Sequence, residues 1–381
     1  MRTVDWGVFQ IHVGDCIENL RRMPASSVQC CVTSPPYFGL RDYGCDGQIG
    51  LEPTPAEYVA KIVDVFREAW RVLRDDGVLW LNLGDSYSND AKWGGSSGGK
   101  HVQALHGNTG IGRGKKYTGL KPKDLLGIPW RVALALQSAG WYLRQDIIWH
   151  KPNPMPESVT DRCTKAHEYL FLLTKSERYY FDADAIKEAA VSTGAAASFK
   201  RTKSKRADPI VGQRVGTHRP DRDEGMSRDT RNRRSVWTVA TRSYSGAHFA
   251  VFPPALIEPC VLAGSSERGG CPHCGAAWSR QTERTPMVIE RSERTHGLGQ
   301  TRSSGKMVSP ASTTTLGWAP TCSCLAHSPV PQVVLDPFGG SGTTAEVACL
   351  AGRRAVLCEL NPVYVDLAVS RVSAALYGCA A

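Results

Sequence analysis

One run of residues limits the fold more than any other: Val333-Val334-Leu335-Asp336-Pro337-Phe338-Gly339-Gly340-Ser341-Gly342-Thr343-Thr344. An apolar strand enters a glycine-rich turn and leaves as a helix, so backbone can approach a ligand closely and the first helical N–H groups point at it. A second apolar strand, residues 355–358, ends in Glu359, 23 positions after Asp336. That is the separation at which nucleotide-binding units place an acid to accept hydrogen bonds from ribose hydroxyls. No Gly-Lys-Ser/Thr follows, so the turn is not a phosphate loop. The order strand, turn, helix, strand, acid predicts an α/β fold with a doubly wound, mostly parallel sheet.

The first 185 residues carry the other strands and helices of such a sheet. Residues 28–32 read as a strand, 54–73 as an amphipathic helix, 78–83 as a buried strand, 129–139 as a helix, 142–149 and 169–174 as strands, and 183–190 as a short helix. Residues 86–117, rich in Gly and Ser, read as a loop. The first strand runs into Thr33-Ser34-Pro35-Pro36-Tyr37. Proline cannot donate to a sheet ladder, so the strand ends there and its last carbonyls face the space above the sheet. Ser34 adds a hydroxyl and Tyr37 an aromatic face. Acceptors of this kind suit an exocyclic amine, drawing its protons away so that the nitrogen lone pair can attack an electrophile.

Together the two motifs resemble the amino-methylating DNA methyltransferases that use S-adenosylmethionine. The resemblance extends to Gly14-Asp15-Cys16, Trp149-His150-Lys151-Pro152-Asn153, His167-Glu168 and His248-Phe249-Ala250-Val251-Phe252-Pro253, covering about residues 10–185 and 236–376. With the catalytic loop first, a basic segment in the middle and the cofactor loop last, the order looks like the family's β group. The resemblance implies a Rossmann-like methyltransferase sheet with circularly permuted motif order. It also implies that Ser34, Pro35, Pro36 and Tyr37 hold a base flipped out of duplex DNA. Asp336, Phe338, Gly340, Gly342, Thr343 and Glu359 would hold S-adenosylmethionine, closed in by Phe249, Phe252, Pro253 and Asp15. Serine at position 34 is the usual form in cytosine-N4 enzymes, which is the expected activity; adenine-N6 is the alternative, and a zinc-containing DNA-binding module without catalysis a more distant one. Pro259-Cys260 is read as packing, not as a nucleophile.

The net charge of +10 is concentrated in one place. Residues 200–242 hold thirteen Lys or Arg against five Asp or Glu, a net of +8, where the family places its target-recognition region. Lys203, Arg206, Arg214, Arg231, Arg233 and Arg234 are the expected DNA contacts, some to base edges and some to phosphate. Of the thirteen cysteines most lie singly in apolar runs, as reduced, buried cysteines do. Cys271-x-x-Cys274 and Cys322-x-Cys324 differ: they lie in a polar insertion, and four thiolates suit a structural zinc in a small zinc-ribbon-like unit. The spacing of 47 residues is long, and His273 or His327 is placed to replace one thiol. The expected organisation is a catalytic half (1–185), basic recognition segment (186–235), cofactor-closing segment (236–263), cysteine-bearing insertion (264–328) and cofactor-binding half (329–381). The expected partners are double-stranded DNA, a cognate restriction endonuclease and, as in many β-group relatives, a second copy of the chain. No run approaches a membrane span and the N-terminus lacks a signal-peptide pattern, so a cytoplasmic protein without a membrane partner is expected.

Overall fold

The computed structural model describes residues 2–88, 119–189, 230–242, 251–285, 288–296, 300–309, 312–325 and 328–378. The chain groups into two compact units. The larger comprises residues 1–185, 234–279 and 320–381, and the smaller 186–233 and 280–319.

A nine-stranded sheet organises the larger unit. Along the chain it uses β1 (Thr3–Asp5), β2 (Phe9–Val13), β3 (Val28–Thr33), β4 (Leu73–Leu83), β5 (Tyr142–His150), β6 (His167–Thr174), β9 (Val236–Thr238), β14 (Val333–Asp336) and β15 (Arg354–Glu359). β7 and β8 are two-residue strands of the smaller unit, Glu188–Ala189 and Thr230–Arg231, paired antiparallel. β10 (Trp278–Thr285) also pairs with β13 (Ser312–Pro320), and β11 (Val288–His296) pairs antiparallel with β12 (Gln300–Ser309).

The order across the sheet is β1-β2-β15-β14-β3-β4-β6-β5-β9. The last two strands of the chain thus lie inside the sheet, between β2 and β3, as the permuted motif order requires. From β2 to β4 every pairing is parallel, while β6 runs antiparallel to both β4 and β5. Such strands are covered on both faces, which is why β3, β14 and β15 are nearly continuous apolar runs instead of alternating ones. Cys30 and Cys31 show the alternation of faces. Cys31 joins the core formed with α2 (Pro55–Val72), whereas the Cys30 thiol reaches the Cys260 carbonyl of α4 (Pro254–Gly264) on the other face.

Helices α1 (Cys16–Arg22), α2 and α3 (Ile128–Ser138) pack together, as do α4, α5 (Thr343–Leu350) and α6 (Pro362–Tyr377). In α2, Thr54 caps the N-terminus by accepting from the Glu57 amide at 3.2 Å, and Pro55 opens the first turn. Tyr58, Ile62, Val65, Phe66, Ala69 and Val72 then form its buried stripe. Each large apolar side chain in that stripe contributes about 1.5–3 kcal/mol on burial. Gly264, closing α4, packs against β3 and β4, where an added Cβ would meet Cys30 Sγ at 2.6 Å.

Several expected elements differ. Over the described part of the segment expected as a helix at 183–190, residues 183–189, there is no α-helix: the Asp182 side chain caps a single 3-10 turn, Asp184–Ile186, and the chain then enters β7. β1, β2 and α1 were not foreseen, because their few apolar residues set no clear period. Residues 264–279 and 320–328, expected in a separate insertion, belong to the larger unit. Cys260 is buried in α4, with its thiol turned back to the Leu256 carbonyl at 3.7 Å, as packing requires. No helix among the described residues is long and apolar enough to cross a membrane.

Candidate active site

β3 and β14 are parallel neighbours in register, Val334 opposite Cys30 and Leu335 opposite Cys31. Both motif loops therefore leave the same edge of the sheet side by side. From there β14 passes through α5 to β15, and β3 through α2 to β4, on the other side. A crevice opens at such a switch point. Here it is a cleft of about 570 Å³, lined by residues 34–37 at one end and by Asp336, Phe338, Gly340 and Glu359 at the other.

Asp336 joins the two loops. Its Oδ1 accepts from Thr33 Oγ1 at 2.5 Å and from the Phe338 amide at 3.0 Å, and its Oδ2 accepts from Thr344 Oγ1 at 2.6 Å. With the carboxyl 1% exposed, burial pushes its pKa up to about 6 even though all three donors pull it down. Glu359 is held differently. Each of its oxygens accepts one amide, from Gly340 at 2.7 Å and from Asn361 at 2.8 Å, and burial raises its pKa. A carboxylate has about four acceptor positions, so capacity remains for a vicinal diol. From α6, Arg371 donates to Ser341 Oγ at 3.0 Å and Thr343 Oγ1 at 2.7 Å while pairing with Glu346 at 2.5 Å, fixing the glycine turn from behind.

At the other end, Pro36 does not present its carbonyl to the cleft. That group accepts from the Tyr58 hydroxyl at 2.9 Å, which leaves the Ser34 hydroxyl and the Pro35 carbonyl to serve an amine. Tyr37 is fixed at both ring and hydroxyl. Its ring lies on Gly84, where a Cβ would come within 2.5 Å of Cε2. The hydroxyl lies 2.7 Å from Glu168 Oε2, 3.1 Å from Asn82 Oδ1 and 3.5 Å from Ser34 Oγ. Burial and the Glu168 charge push its pKa well up. Glu168 Oε1 pairs with Lys151 Nζ, which also lies 4.2 Å from the centre of the Trp149 ring.

Most of the expected site residues therefore meet in one cleft, Asp15 and Phe252 among them. Gly342 and Pro253 are not in its lining. Gly342 caps α5 at φ +80°, close against Ala368, and Pro253 caps α4. Thr343 lines the cleft, but Arg371 engages its hydroxyl. Phe249, Lys203, Arg206 and Arg214 lie outside the described residues. Of the other expected DNA contacts, Arg231 pairs with Glu188 at 2.7 Å, while the Arg234 carbonyl accepts from Trp237 Nε1. Sequence reasoning alone gives Asn82, Lys151 and Glu168 no role. Asn82 could have been singled out as the one polar residue inside the apolar run of β4, 78–83. Residues 40–49, which line the cleft beyond Tyr37, carry no pattern that marks them.

The four cysteine sulfurs of residues 271, 274, 322 and 324 converge, all within 4.8 Å of one another. The Cys274 amide donates to Cys271 Sγ at 3.4 Å, and Gly275 turns the chain at φ +71°.

Residues 28–271 and 324–370 match the DNA methylase (N6_N4_Mtase) family. The chain belongs to this family. It is a DNA methyltransferase of the N4/N6 type. The methylase is 39% identical over 360 residues to the Type II methyltransferase M.Cfr9I of Citrobacter freundii, an alignment covering 94% of this chain and 86% of that one. It is also 39% identical over 368 residues to the Type II methyltransferase M.SmaI of Serratia marcescens, covering 95% and 90%. Among solved structures, the PvuII DNA methyltransferase, cytosine-N4-specific, shares its fold with a TM-score of 0.51 at 16% identity, over 95% of this chain and 86% of that one.

Proposed function

We propose that the methylase transfers a methyl group from S-adenosylmethionine to the exocyclic N4 of a cytosine flipped out of duplex DNA. One observation carries this reading: the Ser34–Tyr37 loop and the Asp336–Glu359 cradle open into the same cleft. Glu359, with one backbone donor on each oxygen, fits the ribose diol of the cofactor, and the loop at 338–341 fits its methionine end. When bound, the cofactor supplies an electrophilic methyl on a sulfonium.

The protein's own groups prepare the amine. Ser34 Oγ and the Pro35 carbonyl accept its protons, which favours the pyramidal nitrogen, and the fixed Tyr37 ring offers a face to the flipped base. Stacking and these hydrogen bonds offset part of the few kcal/mol that flipping costs. Displacement from sulfur to nitrogen needs neither a covalent intermediate nor a Lewis acid. Serine at position 34 favours cytosine-N4, as in the cytosine-N4 members of the group that this loop resembles. Kinship with two Type II methyltransferases supports a role beside a cognate restriction endonuclease. Arg242, on the cleft rim, and Arg231, Arg233 and Arg234 of the basic segment are proposed to contact the DNA.

The test is mass spectrometry of nucleosides from duplex DNA treated with enzyme and S-adenosylmethionine. N4-methyl-deoxycytidine is expected, and N6-methyl-deoxyadenosine in its place refutes the base assignment.

A further inference from the structure

The match to the DNA methylase family stops at residue 271 and resumes at 324, so the chain between, with Cys274 and Cys322, lies outside that match. Its two ends nevertheless bring four thiols together within 4.8 Å, none of them in a disulfide. A tetrahedral zinc with Zn–S bonds of about 2.3 Å has sulfur–sulfur edges of roughly 3.8 Å, which small side-chain rotations reach from here. The knuckle is already formed. The Gly275 amide donates to the Cys271 carbonyl at 2.8 Å, and the Cys274 amide donates to Cys271 Sγ, stabilising negative charge on sulfur.

The same knuckle is docked on the methylase body. Arg74 of β4 donates to the Cys274 carbonyl, and an added Cβ on Gly275 would lie 2.7 Å from the Arg74 guanidinium. Gly270 exchanges two backbone hydrogen bonds with Val330, at 2.8 and 2.9 Å, just before the chain enters β14.

We propose that Cys271, Cys274, Cys322 and Cys324 bind one Zn²⁺ that closes the base of the 272–323 excursion and holds both of its ends against the sheet. All four positions are protein ligands, so no coordination site is open and the metal is structural. The test begins with elemental analysis of full-length wild-type protein purified without chelators or metal resins. One zinc per chain is expected, together with four thiols that resist a thiol reagent until a chelator removes the metal. Cys322→Ser should lower zinc affinity at least about tenfold and expose the excursion to protease. Cys163→Ser, an exposed cysteine outside the cluster, should change neither. Protein that carries no zinc and takes up none when reduced and supplied with ZnCl₂, or that carries iron, overturns the proposal.

A second inference rests on the proposed methyl transfer and on different residues. Once nitrogen bonds to the methyl carbon and the carbon–sulfur bond breaks, the nitrogen must lose a proton. Ser34 Oγ donates to Tyr37 Oη at 3.5 Å, and Tyr37 Oη donates to Glu168 Oε2 at 2.7 Å. Asn82 Oδ1 is a second acceptor for the Tyr37 hydroxyl at 3.1 Å, but the shorter contact is to the Glu168 carboxylate, whose other oxygen is paired with Lys151.

The geometry points to Glu168 as the proton's destination. The amine N–H passes to Ser34 Oγ, the Ser34 proton to Tyr37 Oη and the Tyr37 proton to Glu168, so each hydroxyl is regenerated. Glu168 lines the cleft beside Tyr37 and receives the proton through it, making it a positioning residue for the proton. Glu168→Gln should slow single-turnover methylation about 100-fold, with cofactor affinity and the fluorescence of a flipped 2-aminopurine unchanged. Formate should restore part of the rate in Glu168→Ala. A wild-type rate in Glu168→Gln, or a loss that formate does not relieve, overturns it. Methylation of adenine instead of cytosine would refute the base assignment alone, since both bases present an amine.

Discussion

Asp336→Asn is expected to stabilise the cofactor-free methylase at neutral pH, although it removes a charge that accepts three hydrogen bonds. The wild-type carboxyl titrates at about 6 in the folded protein against 3.8 for its ordinary value, because it is buried. Between those values the folded state holds a proton that the unfolded chain has released, so stability falls as pH rises through this window. The site's full contribution is present below about pH 4, and about 3 kcal/mol of it is lost above pH 7. The amide removes that loss and keeps the network. Its oxygen can still accept from Thr33 and Phe338, while Thr344 turns its proton to the Val32 carbonyl, 3.3 Å away, and accepts from the new NH₂. Urea unfolding of wild type and variant in parallel at several pH values isolates the site, because other titrating groups cancel in the difference. Asp336→Asn should match wild type near pH 4 and exceed it by up to about 3 kcal/mol near pH 8. Asp336→Ala should fall below wild type by about 2–5 kcal/mol, since two hydroxyls and an amide lose their acceptor. If Asp336→Asn is the less stable protein at pH 8, the three donors outweigh burial and the reasoning is wrong.

Other substitutions test the rest of the site. Glu359→Gln places an NH₂ against either the Gly340 or the Asn361 amide and weakens the diol acceptors. Cofactor affinity by calorimetry should drop about 10–100-fold, from the loss of charge-assisted hydrogen bonds worth about 1.5–3 kcal/mol. Gly84→Ala drives a methyl into the Tyr37 ring. Methylation should fall at least about tenfold, with cofactor affinity unchanged and a stability cost of about 1–3 kcal/mol. Gly342→Ala meets both a left-handed backbone at φ +80° and Ala368 Cβ at 2.8 Å. Thermal melting should report destabilisation of at least about 2 kcal/mol, with cofactor affinity lost in step.

What the sequence made legible follows from which interactions are local. The two loops could be read because strand, turn and helix are adjacent in the chain, and because Pro35-Pro36 and the glycines at 339, 340 and 342 impose their own backbone geometry. Their placement in one cleft depends on β14 lying beside β3, a pairing that only the family order suggested. Glu168 went without a role because its partners, Tyr37 and Lys151, lie 131 and 17 residues away. Nothing in the segment around Tyr37 shows that Gly84 lies against one side of its ring. The 183–190 segment failed for a related reason. Its helical composition is real, but a capped single turn and pairing with residues 230–231 override it.

The hydrogen bond from Thr33 to Asp336 spans 303 positions of chain. Parallel pairing over such a separation carries a high loop-closure cost and forms late. During synthesis β3 has been made long before its neighbour, and its edge waits until β14 and then β15 leave the ribosome and insert into the middle of the sheet. A growing or truncated chain that lacks residues 333–359 has the Ser34–Tyr37 loop but no Asp336–Glu359 cradle beside it, so the proposed site is incomplete until both strands have been made.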